Sequence, residues 1–151
     1  MLSVFWDWQG MLFWELLDNK QTINADVYGE QLRKLAAAVR EKRPKRLSVA
    51  LLQDNARPHI AKSTRHILEK LGWTTVPHPP YSPDIAPSDY HLFRALKQHL
   101  REKKFKDYNQ LKSDLADFFD RQPHSFWEEG IQSLPSKWLH IIDHDGDYIV
   151  D

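Results

Sequence analysis

The segment between residues 47 and 76 constrains the fold most, because two short apolar runs flank an amphipathic stretch. The run Leu47–Gln53 predicts a buried strand, and Trp73–Val76 predicts a second strand. Apolar or small residues recur between them at helical spacing, at Ile60, Thr64, Ile67 and Leu71. Gly72 follows where that helix would end. Two strands joined by a helix imply parallel pairing and a right-handed crossover, so the sequence predicts an α/β fold.

The N-terminal region predicts a hairpin followed by a helix. The apolar runs Leu2–Trp6 and Met11–Leu17 are separated by four residues that include turn formers. Both predicted strands are apolar on both faces, which is typical of strands covered by helices. Asn24 is placed to cap a helix, and apolar residues then recur at helical spacing up to the basic loop at 40–46.

The remainder of the chain predicts helices. Apolar residues recur at helical spacing from Leu92 to Leu100, and Asp107 is placed to begin another helix. One or two short helices are expected between residues 126 and 142. The six tryptophans are expected to anchor the core or an interface rather than to stack on bases.

Composition narrows the class of protein. The 151 residues contain no cysteine, which excludes disulfides and cysteine-ligated zinc, and no apolar run approaches the roughly 20 residues of a membrane span. The opening Met1–Trp6 has no basic leader, so we expect a cytosolic or nuclear globular protein without a signal peptide. Residues 1–106 carry a net charge of +7 and residues 107–151 one of −7. This asymmetry indicates either a surface that faces a polyanion or two complementary faces of one domain.

Two carboxylates stand at positions typical of ligand sites. Asp54 follows the predicted strand Leu47–Gln53, and α/β sheets bind ligands at the carboxyl ends of their strands. Asp89 follows the stiff segment 77–87, which holds five prolines, and Ser88 is placed to cap the helix that begins there. Carboxylates of this kind suit Mg²⁺ or Mn²⁺. The alternative is that Asp54 is a turn residue and Asp89 a helix-start residue favoured by the helix dipole.

Two longer strings carry a resemblance to a known family. The string DNARPH at 54–59 and the string YSPDIAPSDYHLF at 81–93 resemble the signature blocks of mariner-type transposases. The 34 residues between Asp54 and Asp89 match the spacing of that family's catalytic signature. Further similar stretches are the hairpin, Ile131–Trp138 and the GDY sequence at 146–148. The resemblance therefore runs the whole length of the chain, and the family also occurs fused to a SET methyltransferase domain.

The resemblance implies a ribonuclease H-like mixed sheet flanked by helices, and a transposase that cleaves DNA at transposon ends and joins it to a target. In that chemistry two Mg²⁺ or Mn²⁺ ions, held by three carboxylates, activate the attacking oxygen. Asp54 and Asp89 would be the second and third of these catalytic, metal-binding carboxylates. For Asn55, His59 and His91 the resemblance implies contacts with the metal-binding side chains or with the DNA phosphate. Contacts with the DNA backbone are implied for Arg43, Lys45, Arg46, Arg57, Lys62, Lys103 and Lys104.

One part of the family's pattern is not found in the 151 residues. The family carries its first catalytic carboxylate in a Gly-Asp-Glu-like block on a central strand upstream of the hairpin. Here Asp7 lies at the predicted turn and Glu15 on a strand, where we expect a paired carboxylate. Residues 1–151 are thus expected to form a single domain, the C-terminal part of the catalytic domain, without that strand or the helix-turn-helix region. The open sheet edges would be covered either by the hairpin pairing with strand 47–53 or by something else.

Two functions of different classes remain open. The chain is either a partial transposase, inactive by itself, or a decayed or co-opted remnant that binds DNA or protein without catalysis. The expected partners are transposon-end and target DNA and a second copy in a homodimer, with no membrane. A nuclear location is expected, and the basic residues at 40–46 are either a nuclear import signal or a solvated loop.

Overall fold

The computed structural model describes residues 2–18, 23–45, 49–52, 61–76 and 85–143. Its strands are β1 (Leu2–Asp7), β2 (Gly10–Leu16), β3 (Ala50–Leu52) and β4 (Thr74–Val76). Its helices are α1 (Ala25–Lys42), α2 (Lys62–Leu71), a π-helical turn (Ser88–Phe93), α3 (Arg94–Leu100), α4 (Tyr108–Arg121), α5 (His124–Gln132) and α6 (Leu134–Asp143). The chain divides into two compact units, unit 1 (residues 1–5 and 12–81) and unit 2 (residues 6–11 and 82–151).

The predicted hairpin is confirmed. β1 and β2 are hydrogen-bonded neighbours joined by the turn at Trp8 and Gln9, so their pairing is antiparallel. The carboxylate of Asp7 accepts a hydrogen bond from the backbone N–H of Gln9 at 3.0 Å. Gly10 follows with a φ of 133°, which residues with a side chain rarely adopt. The carboxylate of Asp7 therefore acts as a hydrogen-bond acceptor within the turn.

Unit 1 has one hydrophobic core in which α1 faces β2 and α2. Its buried residues are Leu12, Tyr28, Leu32, Leu35, Val39 and Leu68. The side chain of Asn24 accepts a hydrogen bond from the N–H of Val27 at 2.9 Å, which confirms the predicted cap of α1. Glu15 lies 2.9 Å from Nζ of Lys34 and accepts a hydrogen bond from Nε2 of Gln31 at 3.3 Å. The expectation that Glu15 is a paired carboxylate is therefore confirmed.

The predicted strand–helix–strand unit is also confirmed. β3 pairs with β4 in parallel, with Ala50 opposite Thr74 and Leu52 opposite Val76. α2 connects them and ends at Gly72, which is left-handed with a φ of 70°.

The prediction of a buried strand at 47–53 is wrong for the part that is described. Ala50 is exposed, the rest of β3 is half-buried, and β4 is exposed. Within the described ranges, β3 and β4 pair with each other and the hairpin forms a separate sheet, so no further strand covers their edges. The hairpin thus does not pair with β3 there, contrary to one of the two arrangements that the sequence left open.

Unit 2 combines the tip of the hairpin with the helices that follow the π-helical turn. Its buried apolar residues include Ile85, Leu92, Leu96, Leu115, Phe118, Phe119 and Trp127. The side chain of Asp107 accepts a hydrogen bond from the N–H of Gln110 at 2.9 Å, as expected for the start of α4. None of the helices in the described ranges combines the length and the apolarity needed to cross a bilayer.

Candidate functional site

The structure describes one of the two predicted catalytic carboxylates. Asp89 lies in the π-helical turn, and its side chain is exposed. Five predicted site residues lie outside the described residues, namely Arg46, Asp54, Asn55, Arg57 and His59. The juxtaposition of Asp54 with Asp89 therefore stays a prediction.

Asp89 lies in an unusual helical segment. The π-helical turn Ser88–Phe93 runs directly into α3, and the backbone N–H of Asp89 donates to the carbonyl of Ala86 at 2.9 Å. Turns of this type are rare in helices and are frequent at functional sites. The cap position is taken by Pro87, which makes no side-chain cap bond and has the φ of −55° that suits a first helical turn.

The prediction that Ser88 caps this helix is wrong. The hydroxyl of Ser88 instead accepts a hydrogen bond from Nε1 of Trp6 at 3.0 Å. Because Pro87 already has a helical backbone, Ser88 lies inside the helix and its side chain is available to the hairpin tip. Trp6 thereby fixes the residue immediately before Asp89.

The two residues after Asp89 are fixed to α5. The phenol of Tyr90 donates a hydrogen bond to the carbonyl of Gly130, and Nε2 of His91 contacts the carbonyl of Phe126 at 2.5 Å. A carbonyl only accepts, so this nitrogen of His91 carries the proton. Burial raises the pKa of Tyr90, despite its hydrogen bond with Ser133, so its phenol is protonated and able to donate at neutral pH.

An aromatic cluster surrounds these hydrogen bonds. The ring of His91 lies 4.3 Å from that of Phe126 and 6.3 Å from that of Trp6, measured between centroids. Trp6 packs in turn against Trp127 at 5.5 Å. Gly130 allows this packing, because a Cβ atom there would lie 2.5 Å from Cδ2 of His91. The residues on either side of Asp89 are therefore held by hydrogen bonds and ring contacts, while the carboxylate of Asp89 itself is exposed.

The sequence did not identify most of these supporting residues. His91 was implied as a contact with ligands or phosphate, and the structure places its Nε2 on the backbone of α5. The roles of Trp6, Tyr90 and Gly130 depend on contacts across 40 to 82 residues of sequence. The one local signal is a glycine inside a predicted helix, which indicates a close approach of a neighbouring group.

Asp89 alone does not make a metal site. Its carboxylate is a hard oxygen donor of the type that Mg²⁺ and Mn²⁺ prefer. Within the described ranges, no three His, Asp or Glu side chains converge as metal ligands. Asp7 is engaged in the hairpin turn, and Glu15 is paired with Lys34 and Gln31. The chemistry of Asp89 thus fits one ligand of a larger set.

The cations predicted to contact DNA differ in their surroundings. Lys45, Lys62 and Lys104 are exposed, whereas Arg43 is half-buried and its guanidinium donates to the carbonyl of Lys42. The exposed lysines are open to a polyanion, and their contact with DNA stays a prediction.

Lys103 belongs to a cluster with α4. Its Nζ lies 3.4 Å from Asp114 and 3.1 Å from Nε2 of His99, and that nitrogen lies 2.9 Å from Asp114. Burial would raise the pKa of Asp114, but the hydrogen bonds and charges of His99 and Lys103 outweigh it and lower that pKa. The charge of Lys103 is therefore largely balanced within the protein.

Comparisons with a family model and with curated proteins agree on one family. Residues 1–49 match the family model described as transposase (partial DDE domain). The chain is 40% identical to the mariner Mos1 transposase of Drosophila mauritiana and 33% identical to the human histone-lysine N-methyltransferase SETMAR. These alignments cover 99% and 98% of this chain, but only 44% and 22% of the relatives.

The similarity to solved structures is close. A structure of the Mos1 transposase catalytic domain with raltegravir and Mg matches with a TM-score of 0.96 and 40% identity, over 99% of this chain and 76% of that one. The Mos1 paired-end complex with the left transposon end matches with a TM-score of 0.96 and 41% identity, over 99% of this chain and 44% of that one. These matches confirm the ribonuclease H-like α/β fold and the family resemblance. The chain belongs to the mariner transposase family and corresponds to part of its catalytic domain.

Proposed function

We propose that this chain provides part of the active site of a mariner-type DNA transposase, which cleaves DNA at transposon ends and transfers the cut strand to a target. One observation carries the proposal. The carboxylate of Asp89 is exposed, while hydrogen bonds hold the side chains of Ser88, Tyr90 and His91 on either side of it. A rigid backbone under an exposed carboxylate is what metal-assisted phosphoryl transfer requires from a protein.

A divalent ion fits the donor chemistry of this position. Solved structures of the Mos1 catalytic domain contain Mg or Mn. In this chain Asp89 would hold such ions together with Asp54, as two of three carboxylates around a pair of ions. When bound, the ions would activate the attacking oxygen and neutralise charge at phosphorus.

The chain's own residues orient the site. Trp6, Tyr90 and His91 restrict the backbone around Asp89, so the point from which its carboxylate projects is fixed before substrate binds. Exposed cations, such as Lys62 and Lys104, would bind backbone phosphates and set the position of the duplex.

The partners follow from the same proposal. Mos1 forms a paired-end complex with transposon-end DNA and a strand transfer complex. We extend these to transposon ends and target DNA for this chain, acting as a homodimer in the nucleus, where such DNA lies. The 151-residue polypeptide is expected to be inactive alone, because the Gly-Asp-Glu-like block that carries the family's first carboxylate is not among its residues.

The test joins these 151 residues to the preceding segment of the Mos1 catalytic domain and measures nicking of transposon-end DNA with Mg²⁺ or Mn²⁺. We expect nicking by the chimaera, none by the 151 residues alone, and none by the chimaera with Asp54→Asn or Asp89→Asn. Asp117→Asn, an exposed carboxylate on α4, is the matched control and should retain nicking. Nicking that survives Asp89→Asn would show that another group does this chemistry.

A further inference from the structure

The side chain of Tyr90, the residue that follows Asp89, is in contact with two residues at the start of α6. Nζ of Lys137 lies 4.6 Å from the centroid of its ring, and the hydroxyl of Ser133 lies 3.2 Å from its phenol oxygen. The backbone N–H of Lys137 donates to the carbonyl of Ser133 at 3.2 Å, so these two residues are one helical turn apart. The first turn of α6 therefore contacts the neighbour of the predicted catalytic carboxylate.

The hydrogen bonds of Tyr90 fix only the end of its ring. The phenol donates to the carbonyl of Gly130 and accepts from the hydroxyl of Ser133. The phenol oxygen lies on the axis about which a tyrosine ring rotates, and rotation about that axis is only weakly restricted by the side chain itself. A contact with the face of the ring is therefore needed to select one orientation of the ring plane.

Lys137 supplies that contact. The face of an aromatic ring carries partial negative charge and attracts a cation within about 6 Å of the ring centroid, more strongly where water is excluded. Lys137 and Tyr90 are both half-buried, and their separation of 4.6 Å is well inside that range. The chain also contains a weaker contact of the same type, because Nζ of Lys112 lies 6.0 Å from the ring centroid of the exposed Tyr108.

The backbone connects Tyr90 closely to Asp89. The backbone N–H groups of both residues donate to the carbonyl of Ala86, at 2.9 Å for Asp89 and 3.0 Å for Tyr90. Because the two residues share one acceptor and one peptide bond, a displacement of Tyr90 also displaces the backbone of Asp89. A side chain that restricts Tyr90 therefore restricts the point from which the carboxylate of Asp89 projects.

We propose that Lys137 is a positioning residue for Asp89 and acts through the face of the Tyr90 ring. The proposal deepens the function proposed above and rests on it, because an exact position matters to a carboxylate that binds an ion for phosphoryl transfer. In this role Lys137 makes the position of one metal ligand more definite, and its charge acts on the ring rather than on the ions or the DNA.

The first test measures the hydrogen exchange of the backbone amides of Asp89 and Tyr90 by NMR, in the full chain without metal or DNA. Lys137→Met keeps an unbranched stem without the charge, Lys137→Arg keeps a cation, and Lys112→Met is the matched control at the weaker contact. We expect exchange at both amides to be about two- to fivefold faster in Lys137→Met, the factor that a cation over a ring contributes at a partly exposed site. The other two variants should keep the wild-type rates.

The amide of Leu115, a buried residue within α4, reports whether the whole protein is destabilised, and its exchange should be the same in all variants. Unchanged exchange at Asp89 and Tyr90 in Lys137→Met, faster exchange that Lys137→Arg does not restore, or an equal change at Leu115 would overturn the role of Lys137. None of these results bears on the proposed function, because the measurement involves neither metal nor DNA.

The second test introduces the same variants into the chimaera described above and measures nicking over a range of Mn²⁺ concentrations. The Mn²⁺ concentration for half-maximal nicking should rise by about two- to fivefold in Lys137→Met, with less than about a twofold change in the maximal rate, because Lys137 only biases the position of one ligand. Lys137→Arg and Lys112→Met should match the wild type. An unchanged Mn²⁺ requirement in a chimaera that nicks DNA would overturn the positioning role alone. A wild-type chimaera that does not nick DNA would overturn the proposed function as well.

Discussion

Replacing Gly130 with alanine tests the aromatic cluster behind Asp89. A Cβ atom at this position would lie 2.5 Å from Cδ2 of His91 and 2.8 Å from Cη2 of Trp6. Neither atom is the end of a flexible chain. Both belong to rigid rings, and the ring of His91 is also held by its contact with the carbonyl of Phe126. The substitution must therefore displace a ring or the backbone of α5.

Two opposing effects set the change in unfolding free energy caused by Gly130→Ala. Alanine is favoured over glycine in a helix interior by about 1 kcal/mol. Overpacking a filled core destabilises by about 1–3 kcal/mol, and two rigid rings place Gly130→Ala near the upper end of that range. The unfolding free energy should fall by about 2 kcal/mol, which lowers Tm by roughly 4–8 °C for a chain of this size.

Gly29 provides a matched control in another helix. A Cβ atom there would lie 2.8 Å from Cδ1 of Ile67, the end of a flexible side chain that can rotate away. Gly29→Ala should therefore gain helix propensity, and raise the unfolding free energy by up to about 1 kcal/mol. Urea unfolding followed by tryptophan fluorescence and circular dichroism measures both variants. Stability of Gly130→Ala at or above that of the wild type would refute the packing described for this glycine.

Three further predictions concern single contacts. Trp6→Phe removes the hydrogen bond to Ser88 and part of the ring packed against Trp127, so it should lower the unfolding free energy by at least about 1 kcal/mol. In a urea double-mutant cycle, its combination with Ser88→Ala should give a less than additive decrease, because both changes remove the same hydrogen bond. Asp114 has a lowered folded-state pKa, so the stability it gives is complete at neutral pH and is lost as the pH falls below its ordinary value of 3.8 towards that folded pKa. The difference in unfolding free energy between wild type and Asp114→Asn should therefore shrink in acid, and a constant difference would contradict the pairing. Asp89→Asn should lower the unfolding free energy by less than about 1 kcal/mol, because the contacts of an exposed carboxylate contribute little, and a larger loss would show that the carboxylate is needed for folding.

Local patterns predicted the elements that depend on nearby residues. The hairpin, the cap of α1 at Asn24 and the end of α2 at Gly72 occur where the sequence placed them. Each depends on backbone geometry or a side-chain bond within about four residues, which a sequence pattern reports directly. The exposure of Thr74–Val76 depends instead on which strands lie beside it, and no local pattern contains that information.

The sequence predicts the carboxylate of the site but not the residues that hold it in place. The family strings point to Asp89, whereas the residues that contact its neighbours come from distant elements. A serine before an apolar helix commonly caps it, but the side chain of Ser88 is bonded to Trp6, 82 residues away. The resemblance implies a DNA contact for Lys103, which stays a prediction, and the structure adds that Asp114, on the next helix, lies 3.4 Å from its Nζ. Both contacts join residues of different elements.

In the part of the signature-like string around Asp89, most side chains hold the helix in place rather than face solvent. Ser88 accepts a hydrogen bond, Tyr90 and His91 each contact a carbonyl of α5, and Leu92 is buried, so Asp89 alone among these five residues is exposed. A copy without catalysis that kept its fold would still need the other four side chains, because removing them destabilises unit 2. The string as a whole therefore does not separate an enzyme from a folded remnant.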